Sequence, residues 1–480
     1  MKKSLLLLAL SASIFATSCS KKDSSIDPPV TNPASSGVEV KGDIATNTTW
    51  TADKIYTLKG FVYVTNGATL TIEPGTIIKG DKASKGTLIV TRGAKVMAVG
   101  TADKPIVFTS SFAAGTRNAG DWGGIILLGK APVNQGGNVA IEGGLDAKGD
   151  AAKYIQYGGT DANDNSGTLK YVRIEYAGIP FSPDNEINGL TMGGVGAGTT
   201  LDYIEVYRSG DDSFEWFGGT VNAKHLMAIG GLDDDFDTDF GFSGKVQFGL
   251  GQRYPTIADV SGSNGFESDN DGSGSDKTPQ TSAVFSNMTL LGPISSLTVP
   301  SNVNANYQHG AQIRRNSAES ILNSVFAGFV EGIYIDDSKV TTAGSTSTNY
   351  TAGRLVFENN IIYGSNKKGN EVKGDNAVQK AIFEANLRAK NTFDATLYAD
   401  ALINDPFKFS SDFARPGTPV FTVKTGSLAE TGALFTNAKV TDSFFDKVTY
   451  RGAFGATDWT AGWANFDPQT TPYTTPGAVK

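Results

Sequence analysis

What most constrains this chain is a repeat at an interval of 22 residues (203 to 225) between Thr199 and Gly251. Tyr203-Ile204-x-Val206 falls over His225-Leu226-x-Ala228, and one further step brings in Gln247-Phe248-x-Leu250. In that register Asp211-Asp212-Ser213-Phe214-Glu215 falls over Asp233-Asp234-Asp235-Phe236-Asp237. Apolar runs this short cannot bury a face alone; they do so when successive turns stack as a solenoid. Stacked turns sit at the spacing of paired strands, roughly 4.8 Å, so the two acidic runs become neighbours. Like charges that close repel by about 3 kcal/mol per pair at an effective dielectric near 20. A hard cation, Ca²⁺, is the simplest neutraliser.

The period-2 pattern begins near Val38. Leu70-Thr71-Ile72, Leu88-Ile89-Val90, Ile106-Val107-Phe108 and Ile125-Ile126-Leu127 follow at intervals of 18, 18 and 19, with glycines in the turns between. This predicts an all-β chain, a right-handed parallel β-helix over 38–370 with two or three short strands per turn, whose apolar side chains stack inside from turn to turn. Gly167–Gly178 matches Thr199–Gly210 at an offset of 32, which places a loop of about ten residues around 179–189. Further excursions cover 261–281 and 341–352, and later turns recur at 37 and 36 residues (Asn287, Ser324, Asn360). Asp375 is expected to cap a helix running to Lys390. Residues 371–480 are expected to continue the solenoid as a helix and end cap, with Phe444, Phe445, Trp459 and Trp463 in the cap.

A net charge of −8 argues against nucleic acid as a partner, and 19% charged residues with 57 glycines suit a solenoid. The single cysteine, Cys19, excludes an intrachain disulfide. It ends a segment with a basic start, a short apolar run and a small-residue cleavage site, which reads as a secretory signal over 1–18. That segment resembles a bacterial lipoprotein signal, with Ala16 where the family usually has Leu. The resemblance implies lipid on Cys19. The following Ser-Lys-Lys-Asp partly resembles the export signal of surface lipoproteins in Bacteroidota. The expectation is a protein of the outer membrane, lipid-anchored and surface-exposed, on a Pro- and Ser-rich tether over 19–37.

Residues 68–80 and 100–110 resemble the opening coils of pectin-lyase-like β-helix proteins. Asp121–Gly129, Glu215–Asn222, Tyr450–Phe454 and Asp458–Trp463 resemble a family of Bacteroidota and proteobacterial β-helix lipoproteins of unassigned function. Some of that family carry the name "multidrug transporter". A chain whose only hold on the membrane is a lipid forms no transport path by itself.

The acidic residues are the candidate chemistry. Asp211, Asp212, Glu215, Asp233, Asp234, Asp235, Asp237 and Asp239 form the stacked set, and Glu267, Asp269 and Asp271 a glycine-rich loop. That loop resembles the first half of an EF-hand, but its twelfth position is Thr278. Gly210-Asp211-Asp212 looks like the paired-acid motif of β-helix polygalacturonases, without that family's histidine one turn later. Trp216, Tyr207 and Arg208 are candidates for a sugar-binding platform beside the acids. The only histidines are His225 and His309, and no phosphate-binding glycine motif occurs, so zinc catalysis and nucleotide binding are not expected. The expectation is a calcium-binding envelope protein that binds a glycan or surface partner without catalysis. The alternatives are a polysaccharide lyase or glycoside hydrolase, and an accessory subunit of an outer-membrane importer.

Overall fold

The computed structural model of the chain describes residues 37–182, 185–294, 303–339, 345–364, 371–394, 396–408 and 418–480. The signal segment, Cys19, nearly all of the tether and parts of the 179–189 and 341–352 excursions lie outside the described residues. The chain is a right-handed parallel β-helix, with 26 strands in one sheet among the described residues. Among the described residues no helix is long and apolar enough to cross a membrane.

Each turn contributes to three parallel stacks. The first runs through Thr48–Trp50, Thr69–Ile72 and Lys95–Val99. The second runs through Ile77–Gly80 and Ile106–Ser110. The third runs through Thr87–Val90, Gly124–Leu128, Leu190–Val195, Phe214–Gly219, Phe236–Asp239, Phe266–Ser268 and His309–Ile313. Leu70 pairs with Val96 and Leu88 with Ile125, so the runs spaced by 18–19 residues occupy different stacks, as several short strands per turn require. Three short strands per turn close the apolar lumen, where Leu70, Leu88, Ile125, Leu190, Phe214, Phe236 and Phe266 share one core.

From Gly167–Glu175 to Val284–Leu291 the first and second stacks merge into one bent strand per turn, which parts again into Ser320–Leu322 and Val325–Ala327 on either side of the bend. The bend falls on residues with φ near +50° to +64°: Tyr171, Tyr203, His225, Phe248, then Asn287, Asn323 and Asn359. Asparagine tolerates that left-handed conformation, while the aromatic residues gain back its cost by stacking. Ring centroids along Tyr171, Tyr203, His225 and Phe248 lie 4.4, 4.1 and 5.2 Å apart. The interval of 22 holds from Ile204 to Leu226 and from Glu215 to Asp237. It lengthens by one at the next turn, where Leu226 pairs with Gly249, so Phe248 rather than Gln247 stacks on His225. Likewise Thr289 pairs with Val325 and Val325 with Ile361, a constant step of 36.

The helix Ala377–Lys390 is capped by Asn376, not Asp375; Asp375 instead accepts from the Tyr334 hydroxyl at 2.6 Å. Phe383 and Leu387 enter the lumen core, while Val378 and Ile382 face solvent. The segment read as an end cap that folds back on the solenoid does fold back, as a lateral strap. It returns along the bend of the merged strands toward the first turns. Asn359 donates to the Gly432 carbonyl at 2.7 Å, Asn323 to Leu434 at 2.9 Å, and Asn287 to Tyr450 at 2.9 Å. Trp459 then meets His225 and Trp463 meets Tyr203, and Arg117 donates to the Pro468 carbonyl at 2.7 Å.

Candidate functional site: an acidic corner

Strand alternation sorts the third stack. Phe214, Trp216, Phe236 and Phe266 point into the lumen, so Glu215, Asp237 and Glu267 point out, in register on three successive turns. The corner leading into these strands carries Asp211-Asp212 and, one turn on, Asp233-Asp234-Asp235. Backbones pack closely here: a Cβ added at Gly178 (φ +87°) would collide with the backbone at Gly210 and Asp211. Asp212 Oδ1 accepts from the Asp234 amide at 2.8 Å, which ties the two acidic runs together.

Two groups of three carboxylates result, Asp211 with Asp212 and Asp233, and Asp212 with Glu215 and Asp237. Within each group one oxygen from every residue lies within 4.8 Å of the others. Burial pushes Asp211 and Asp233 up to about 8, with neighbouring acids adding to the shift. Asp212, Glu215 and Asp237 stand well above the usual carboxylate range for the same reasons. Asp233 Oδ1 and Asp237 Oδ1 are buried without a hydrogen-bond partner.

Other predicted ligands have other partners. Asp235 is fully buried against Arg253 at 2.7 Å. Asp234 accepts from the Asn264 amide, and Asp239 from the Phe240 amide at 2.6 Å. Arg314 spans Glu267 and Asp269, the latter at 2.9 Å, and Arg315 reaches Asp269 at 2.6 Å. Asp271 closes its own turn, accepting from the Ser273 amide at 2.9 Å and from Ser275. Burial raises its carboxyl, but these hydrogen bonds outweigh that and hold it at about 2. The 267–271 loop is therefore internally satisfied rather than EF-hand-like.

The sugar platform is also corrected. Trp216 is wholly buried in the lumen, 5.2 Å from Phe242 between ring centroids, because alternation points it the same way as Phe214. Tyr207 is buried with its hydroxyl 3.1 Å from that of Tyr254, and the Arg208 guanidinium lies over the Tyr254 ring at 4.8 Å. None of the three forms an open face beside the acids. His225 and His309 stand apart, against Asp202 and Glu331.

The sequence did not point to Asn188 or Glu142. The 179–189 loop delivers Asn188, which is 1% exposed and donates to Glu215, while its own Oδ1 has no partner. The segment between Leu128 and Gly167 brings Glu142 within hydrogen-bonding reach of Glu215 and Asn188, and burial pushes Glu142 up to about 7. No local signal marks either residue, since both arrive from loops between stacked strands.

The family profile described as pectate-lyase-like β-helix domain matches residues 42–401, and the chain belongs to that family. A solved structure, that of pectate lyase Pel9A, is 12% identical over 86% of this chain and 87% of that chain, with a TM-score of 0.32. No curated protein matches the chain.

Proposed function

We propose that this pectate-lyase-like β-helix protein binds calcium in its acidic corner and, through it, a glycan or surface partner, without catalysis. The reading is carried by the pair of carboxylate groups sharing Asp212. Among the described residues no arginine or lysine forms an ion pair with any of their five members, although the charge of Arg314, paired to Glu267 and Asp269, also acts on Asp237. All donors are oxygen, the set a hard divalent cation prefers. Asp211, Asp212, Asp233, Glu215 and Asp237 would hold the ion. When bound, it would offset part of the corner's charge and offer coordination to a sugar carboxylate or hydroxyl. The chain's own residues fix the carboxylates at strand spacing and keep Asn188 against Glu215.

Binding is favoured over lysis because the nearby arginines are committed. Arg253 is locked to Asp235, and Arg314 and Arg315 to Glu267 and Asp269, so none of them is poised as a base. The family's name points first to acidic polysaccharides. We place the protein on the outer membrane, held by lipid on Cys19, on the strength of residues 1–19 alone. A panel of acidic polysaccharides, with calcium or chelator, tests the reading. Retention that needs calcium and leaves the polymer intact supports it. Unsaturated or reducing ends that vanish in Asp212→Ala would establish an enzyme instead. Palmitate labelling lost in Cys19→Ser checks the anchor.

A further inference from the structure

We infer that the acidic corner is a two-cation centre in which Asp212 stands between the ions. This rests on the calcium-binding reading above and concerns how many ions the corner takes and how they are linked. The first ion would sit at the corner among Asp211, Asp212 and Asp233. The second would sit on the outward face of the third stack among Asp212, Glu215 and Asp237.

Three observations separate two ions from one. Each group of three stands as a complete set, and Asp212 is the only member they share. Each group also has its own orphan: Asp233 Oδ1 in the first and Asp237 Oδ1 in the second are buried with no hydrogen-bond partner. Beside the second group, Asn188 is 1% exposed and its Oδ1 is likewise unpartnered, an uncharged oxygen of the kind that completes a calcium shell. A single ion satisfies one orphan and leaves the other in place.

Charge and size agree. The two groups hold five distinct carboxylates, so one divalent ion leaves a residual charge of −3 and two leave −1. Three oxygens within 4.8 Å of one another leave a point no more than about 2.8 Å from each, which admits calcium–oxygen distances of about 2.3–2.6 Å. Glu142, in reach of Glu215, approaches the second position from the loop side. Because Asp212 serves both ions, filling either site draws on the same carboxylate, and the two affinities are linked.

Equilibrium dialysis of the full chain against calcium, after chelator treatment, tests this at neutral pH. Two ions per chain are expected. Glu215→Gln and, as a second variant, Asp237→Asn should each leave one ion bound, as should Asp211→Asn from the other side. Asp212→Asn should weaken both by at least tenfold. One ion in the unmutated chain overturns the two-cation centre while leaving the calcium-binding reading intact. No bound calcium removes both. A stoichiometry of two that survives Glu215→Gln and Asp237→Asn alike overturns the assignment of the second site.

Discussion

Two neighbouring turns of the same stack treat the same problem in opposite ways. Asp237 and Glu267 are in register one turn apart, both outward and both beside other acids. At Glu267 and Asp269 the chain supplies its own cations, Arg314 and Arg315, from the following turn. Among the described residues Asp211, Asp212, Glu215, Asp233 and Asp237 form no ion pair with a lysine or arginine, only the more distant charge of Arg314 acts on Asp237, and two of their oxygens are orphaned. A buried charge needs a partner or a proton. The paired turn is neutralised by its own arginines, whereas the corner acids meet burial and one another without an ion pair.

The contrast breaks most sharply with pH. Asp211, Asp233 and Asp234 have folded-state values near 8, raised by burial from 3.8, so the folded chain keeps protons the unfolded chain releases above pH 4. Without metal, stability therefore falls as pH rises from about 4 to about 8, by up to about 1.4 kcal/mol per pH unit for each group held neutral. Urea unfolding in chelator should show a clearly lower midpoint at pH 8 than at pH 5, and saturating calcium should erase most of the gap. A flat profile in chelator would mean the corner is already compensated from within.

Arg314→Met turns the paired turn into an open one. It leaves Glu267 without its guanidinium partner and should lower stability by about 3 kcal/mol at pH 7, read from the urea midpoint. Calcium should recover part of that loss if unpaired outward carboxylates are what draws the ion. The reverse change is smaller. Asp237→Asn removes one repelling charge and should stabilise the metal-free protein by about 2 kcal/mol, while shrinking the rise in melting temperature that calcium produces. Asp271→Asn should cost about 1 kcal/mol through its lost turn hydrogen bonds and leave calcium affinity unchanged. An altered affinity there would return the 267–271 loop to the list of ligands.

The fold was legible because its signal is local and repeated. Alternation with glycine corners specifies strands, and an interval near 22 specifies a solenoid. The corner was legible for the same reason: Asp211 and Asp233 stand one turn apart, and register does the rest. The platform was misread because facing depends on alternation within one strand. Phe214 points inward, so Trp216 must as well, and Glu215 takes the outer position. Several strands per turn were legible from the spacing of 18–19 residues, but not which of the three faces each run joins, because distance along the chain does not specify a face.

The sequence by itself determined the turn length and the identity of the facing acids, because both follow from periodicity. Only the tertiary structure decided which acids are already answered. Arg253 meets Asp235 from 18 residues away, Arg314 meets Glu267 from 47, and Tyr473 reaches Glu175 from 298 through the returning strap. Those pairings depend on loop lengths and on where a long segment doubles back, and no period in the chain encodes them.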